Sequence, residues 1–221
     1  AEMSKLLENI YRSINIALIN ELKIATTKLD IDIYDVIKIA STKPFGFQKF
    51  FPGPGTGGHC IPIDPIYFSW LSKKKGVNVK FIELSSKINQ IRTKWIIKKL
   101  KTIAKKISSP KILLLGLSYK KNIEDTRESA SIKILEDLLK QKYAIDYSDP
   151  FNQKIVLNYR KKRKVLFSKK FSKNVVKKYN LIIIATDHDK FDYSLLKSSN
   201  KTIVDLRGKF KNIKSRYIYQ L

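Results

Sequence analysis

Cysteine and histidine are nearly missing from this chain. Its 221 residues contain one cysteine, Cys60, and two histidines, His59 and His188. A single thiol excludes an internal disulfide framework and a cysteine-rich zinc site. No run approaches the ~18 consecutive apolar residues of a membrane-spanning helix. The opening residues, AEMSKLLEN, have neither the basic n-region nor the apolar h-region of a secretory leader. A start at Ala1 reads as a processed chain or a portion of a longer one. Glycine and proline are also scarce, at eight and seven, and five of each fall within residues 43–65. What is plentiful is apolar material, at 43%, enough for a real core in one large domain or two small ones.

Acidic residues are few, 19 against 45 Lys and Arg, for a formal charge of +26. Such a charge raises the question of nucleic acid. However, 38 of the basic residues are Lys and only seven are Arg. Base readout and bidentate phosphate contacts favour Arg, so specific DNA recognition is disfavoured. Lys, Ile, Asn, Tyr and Phe all have AT-rich codons, and a biased genome explains the composition at least as well as a polyanion partner does. The densest run, Arg160-Lys161-Lys162-Arg163-Lys164, is expected to be an exposed connection before a strand.

Residues 2–29 read as one long helix, with Leu6, Ile10, Ile14, Ala17, Leu18, Leu22 and Ala25 at steps of three and four. Ile16, Ile19 and Ile24 add apolar positions on other faces, which predicts burial nearly all round. Asp32 is placed to cap a short helix carrying Val36, Ile37 and Ile39. Residues 43–65 cannot form a regular element, and helices are expected over 66–75 and about 83–106. From Pro110 the pattern becomes strand and helix in alternation: strands at 111–115, 144–147, 165–167, 181–185 and 202–206. Asp125 and Glu128 resemble a capping box opening a helix to about Lys142. The fold class expected is α/β: a helical segment, 1–108, followed by a doubly wound, mostly parallel Rossmann-like sheet domain, 109–221.

Residues 53–58, GPGTGG, match G-x-G-x-x-G letter by letter. The dinucleotide fingerprint needs a strand before it and a helix directly after. Pro52, Pro54 and Pro62 break that context, so the match is rejected. Gly57-Gly58-His59-Cys60 instead places a thiol after two residues without side chains, with Asp64 four residues on. Glycines allow close backbone approach to a bulky ligand and free amides to face it. An inert cysteine in a structural turn is the alternative. His59 is not taken as a base, because adjacent side chains often diverge.

Three blocks, AEMSKLLENIYRSINIALINEL, TKPFGFQKFFPGPGTGGHCIPIDP and GLSYKKNIEDTRES, resemble the UDP-glucose/GDP-mannose dehydrogenases in order over nearly the whole chain. The middle block is most similar to the branch acting on UDP-N-acetylhexosamines. Pro44 stands where UDP-glucose enzymes carry an arginine, and Lys43-Pro44-Phe45-Gly46 fits the acetamido-sugar branch. The resemblance covers the later part of such enzymes, which begin with an NAD-binding domain that this chain lacks.

What it implies is oxidation of a sugar C6 alcohol to a carboxylate with two NAD, in the cytoplasm, for surface polysaccharide. UDP-N-acetylglucosamine is the expected substrate and UDP-glucose the alternative. Cys60 would be the nucleophile, passing through a thiohemiacetal and a thioester. Lys5 and Asn9 would stabilise oxyanionic intermediates, and their i, i+4 spacing puts them on one helix face. Asp64 would assist water or the lysine. Gly53, Gly55, Gly57 and Gly58 would wrap the sugar and diphosphate, Lys120 and Arg207 would contact the nucleotide sugar, and Arg127 would lie on the NAD side. A homodimer through helix 2–29 is implied, with no metal, membrane or specific nucleic-acid partner. An inactive sugar-nucleotide binding module and a basic nucleic-acid binder are the competing readings. A steep salt dependence would mark the latter.

Overall fold

The computed structural model describes residues 2–159, 162–197, 199–213 and 215–221. Four helices come first: α1 (Glu2–Lys28), α2 (Ile33–Ala40), α3 (Asp64–Lys74) and α4 (Lys80–Ala104). Asp32 caps α2 as expected, its carboxylate accepting from the Tyr34 amide at 2.8 Å. Residues 41–63 between α2 and α3 hold no regular element.

The second half alternates: β1 (Lys111–Leu115), α5 (Ala130–Lys140), β2 (Ala144–Ser148), β3 (Lys154–Tyr159), β4 (Lys162–Phe167), α6 (Lys173–Val176), β5 (Leu181–Ile184), α7 (Ser194–Lys197), β6 (Thr202–Asp205) and β7 (Ile218–Gln220). Five strands form one parallel sheet in the order β2-β1-β5-β6-β7. Side chains alternate across it. Ile112, Leu114, Leu181, Ile183 and Val204 face a core closed by Ile96, Leu100 and Ile103 of α4 and Ile134, Leu135 and Leu138 of α5. Leu113, Leu115, Ile182, Ile184 and Ile203 face a second core with Val176, Tyr179, Phe191, Leu196 and Phe210. The sheet is therefore covered on both faces, and α4 reaches from the helical part into the sheet's own core.

Three expectations change. The strand at 165–167 belongs to an antiparallel hairpin, β3–β4, apart from the main sheet. Ile155 and Leu157 fasten that hairpin to the core, and Val156 and Phe167 lie outside. Lys162, Arg163 and Lys164 of the basic run are part of β4 rather than a connection, and Arg160 and Lys161 lie outside the described residues. The capping box does not form. The Asp125 carboxylate accepts from the Arg127 amide and guanidinium, Glu128 pairs with Lys133, and Ser129 caps a helix that begins at Ala130. Residues 125–127 are held elsewhere: the Asp125 carbonyl accepts from the Tyr119 amide and the Arg127 carbonyl from the Gly58 amide. Ser129→Ala should therefore lower stability by about 1 kcal/mol in urea unfolding, whereas Asp125→Ala should cost α5 nothing as a cap.

The buried face of α1 also differs from its apolar periodicity. Asn9, Ile10, Ser13, Ala17, Ile19, Asn20 and Lys23 are buried, and Leu7, Leu18 and Leu22 are exposed. Across from them α4 buries Ser85, Asn89 and Arg92. Asn20 Nδ2 donates to Asn89 Oδ1 at 3.0 Å, Ser13 and Ser85 hydroxyls meet at 3.4 Å, and Asn89 Nδ2 reaches the Ser13 carbonyl at 3.4 Å. The two long helices meet through a polar ladder in which Ser13, Asn20, Ser85 and Asn89 bond to one another.

Candidate active site

The glycine-rich segment runs between the helical part and the sheet domain, and its backbone is tied to both. The Gly53 amide donates to Asn20 Oδ1 at 2.9 Å, and its carbonyl accepts from Arg92 Nε at 3.0 Å. Thr93 Oγ1 donates to the Pro54 carbonyl at 2.8 Å. On the other side the Gly58 amide donates to the Arg127 carbonyl at 2.8 Å.

Glycine is required here by neighbours within the chain. Gly58 has φ +87°, and a Cβ on it would fall 2.9 Å from the Tyr119 ring. A Cβ on Gly53 would lie 3.0 Å from Arg207 Nη1. Gly55 and Gly57 sit against Thr93 and Tyr119. These positions let the segment pass between α4 and the ends of the sheet.

Past the last glycine, the Cys60 carbonyl accepts from the Asp64 amide at 2.8 Å, at the first turn of α3. The Asp64 carboxylate accepts from Asn9 Nδ2 at 2.7 Å. Cys60 is half-buried and Asn9 fully buried. The structure thus brings together Cys60, Asp64 and Asn9, from the loop, α3 and α1. Lys5 is exposed, and its ammonium pairs with Glu8 at 3.7 Å; among the described residues it makes no ion pair with Asp64.

Arg127 is exposed and forms a forked pair with Asp125, Nη2 to Oδ2 at 2.7 Å and Nε to Oδ1 at 3.0 Å. That bonding holds the Asp125 carboxyl below the usual carboxylate range. The Arg127 guanidinium is also within electrostatic reach of Cys60.

Arg207 follows β6 and is partly buried. Its Nε donates to the Ala185 carbonyl at 2.8 Å and Nη2 to the Tyr119 carbonyl at 3.3 Å, so the end of β5 and the loop after β1 both aim it. Burial pushes its pKa down. Lys120 is exposed in that same loop after β1. Both lie beyond the carboxyl ends of parallel strands, where open α/β sheets take ligands.

Beneath this loop Asp149, beyond β2, accepts from the Leu117, Phe151 and Asn152 amides at 2.7, 2.8 and 2.9 Å. It also meets His188 Nε2 at 3.2 Å. The Asn122 amide donates to His188 Nδ1, which therefore carries the lone pair and leaves Nε2–H to donate to Asp149. Sequence reading missed Asn20, Asn89, Arg92, Thr93, Tyr119, Asp149 and His188. The one signal available was the recurrence of polar residues at helical spacing, at 13, 20, 85, 89 and 92.

The residues present do not compose a dinucleotide site of the fingerprint kind. GPGTGG lies in an irregular segment with no strand before it, and β1 is followed by a single glycine, Gly116. Among the described residues no cluster of three or more His, Cys, Asp or Glu could hold a metal ion, and no helix is long and apolar enough to cross a membrane.

A helical segment is thus joined through an irregular glycine loop carrying a thiol to an α/β domain whose parallel sheet is followed by an aimed arginine. Residues 1–91 match the UDP-glucose/GDP-mannose dehydrogenase family, central domain, and residues 113–212 match its UDP binding domain. The chain belongs to that family. It is 35% identical over 220 residues to UDP-N-acetyl-D-mannosamine dehydrogenase of Methanococcus vannielii, a match covering 94% of this chain and 48% of that protein. The corresponding protein of Methanocaldococcus jannaschii is 32% identical, with 100% of this chain and 49% of the relative covered. The solved UDP-D-ManNAc dehydrogenase of Pyrococcus horikoshii superposes with a TM-score of 0.78 at 28% identity, over 99% of this chain and 51% of that one. The chain thus spans about half the length of the relatives it matches.

Proposed function

We propose that this chain is the thiol-bearing and UDP-binding portion of a UDP-N-acetylhexosamine 6-dehydrogenase. The observation that carries this is the convergence at one loop: Cys60 beside the Asn9–Asp64 pair at one end, and Gly53 against Arg207 at the other. The relatives act, by name, on UDP-N-acetyl-D-mannosamine. This shifts the expected sugar from the glucosamine to the mannosamine epimer.

The reaction requires NAD as hydride acceptor; no strand, G-x-G-x-x-G and helix unit stands among the described residues, and Arg127 is the residue of this chain that would face the NAD side. This chain supplies the rest. Arg207 and Lys120 bind the nucleotide diphosphate, and the loop positions C6 near Cys60. The Cys60 thiol adds to the C6 aldehyde left by a first hydride loss, its proton passing to the aldehyde oxygen; a second hydride loss turns the thiohemiacetal into a thioester, and water releases the acid and returns the thiol. Asp64, oriented by Asn9, directs that water. A thioester suits the final step because it is a far better acyl donor than an ester. The exposed Met3, Leu7, Tyr11, Leu18 and Leu22 on α1 support pairing with a second copy through that helix.

Titration of the chain with UDP tests the binding half of this reading. The wild-type chain should bind, and Arg207→Met should weaken binding at least about tenfold, since a charge-assisted contact to phosphate is lost. Equal binding by the variant would remove Arg207 from the site.

A further inference from the structure

Three polar side chains behind the glycine loop are buried, and among the described residues none of them makes an ion pair. Arg92 is 0% exposed, and both of its η nitrogens lack a hydrogen-bond partner. The Tyr34 hydroxyl is likewise unpartnered. Lys23 is 4% exposed, with its ammonium 5.8 Å from the Tyr34 ring centroid. Among the described residues no carboxylate stands within ion-pair distance of Lys23, Arg92 or Arg207. Three acids act on these cations from beyond ion-pair distance: Asp205, which accepts from the Arg207 and Phe210 amides at 2.9 and 2.7 Å, Asp32, which caps α2, and Asp187, whose charge reaches Arg207. Burial depresses both cations, Arg92 to about 10, and each also feels the charges around it, Lys23 that of Arg92.

Buried cations without a paired carboxylate are expensive; Arg92 has the Gly53 carbonyl and the Trp95 ring, 5.0 Å from its Cζ, and Lys23 the Tyr34 ring. A neutral donor would serve the Gly53 carbonyl as well as Arg92 does. The excess charge is gathered at one glycine. Gly53 receives Arg92 at its carbonyl, hangs from Asn20 on the helix that also carries Lys23, and lies against Arg207.

We propose that Arg92 and Lys23 form a cationic floor beneath Gly53, and that the diphosphate of a nucleotide held at Arg207 completes its charge balance. Both are positioning residues that act through the field and through the loop. The inference rests on the reading of Arg207 as a diphosphate contact.

The test is calorimetric titration of the whole chain with UDP and with uridine, comparing Arg92→Gln, Arg92→Lys and Lys23→Met. Arg92→Gln keeps a donor for the Gly53 carbonyl and removes the charge. It and Lys23→Met should each weaken UDP on the order of tenfold, as expected for one charge about 10 Å away at an effective dielectric of about 20. Uridine binding should be unchanged, the thermal midpoint of the ligand-free chain should not fall, and Arg92→Lys should keep most of the UDP affinity. Equal weakening of UDP and uridine, or no weakening of either, overturns the proposal. Should Arg92→Gln fail to fold, Lys23→Met carries the same comparison. If UDP binding depends on Arg207 but not on Arg92 or Lys23, this inference alone falls. If the wild-type chain binds no UDP, the site reading falls and takes the floor with it.

Discussion

Cys60→Ser, placed in a full-length enzyme carrying this chain, should reduce acid formation by roughly 10⁴-fold or more, because the reaction then lacks its covalent nucleophile. A serine hydroxyl needs a base to match a thiol. The carboxylate nearest in sequence, Asp64, is already hydrogen-bonded by Asn9, and His59 is exposed. The substitution is nearly isosteric at a half-buried position, so stability should change little. UDP affinity should persist, because Arg207 and Gly53 lie at the opposite end of the loop. Acid release measured with a UDP-N-acetylhexosamine and NAD, beside a UDP titration of the same variant, separates the two. Undiminished turnover would remove Cys60 from the chemistry.

Asp149→Ala should cost about 3–5 kcal/mol of stability. Two buried amides, those of Leu117 and Asn152, and the part-buried Phe151 amide would lose their acceptor together with the His188 ring, and each unsatisfied buried donor costs about 1–3 kcal/mol. The loop after β1, which carries Lys120, would lose its anchor, so UDP binding should weaken as well. The same group sets an acid limit. Burial pushes the Asp149 carboxyl up, but bonds from His188 and the three amides outweigh it and hold the group below the usual carboxylate range. The ionised form therefore contributes its full stability above about pH 4 and loses it as the pH falls through the depressed folded value. Urea midpoints should drop more steeply below pH 4 in the wild type than in Asp149→Ala. Parallel acid profiles would show that Asp149 is not the group responsible.

Much of the architecture was legible in local pattern. Short apolar runs mark β1, β5 and β6, because a strand buried on both faces needs side chains apolar on both, and the Asp149-Pro150 stop marks the end of the edge strand β2. Asp32 marks the start of α2 because its carboxylate satisfies a helix amide whatever lies around it. The hairpin β3–β4 was half hidden. Its basic stretch, Lys162 to Lys164, looks like solvent-facing loop until pairing with β3 is seen. Lys5 and Asn9 share a helix face by spacing, yet only Asn9 meets Asp64, since a side chain near the first turn of a long helix is free to turn to Glu8.

Residue order alone established the helical-then-α/β plan, the irregular glycine loop and the thiol at its end, since propensity, capping and periodicity act within a few residues. Only the folded arrangement decided which neighbours the glycines meet, that Asn20 and Arg92 grip the loop, and that Lys23 and Arg92 lose water together. Those facts depend on segments tens of residues apart, whose polar side chains read as surface until another element closes over them.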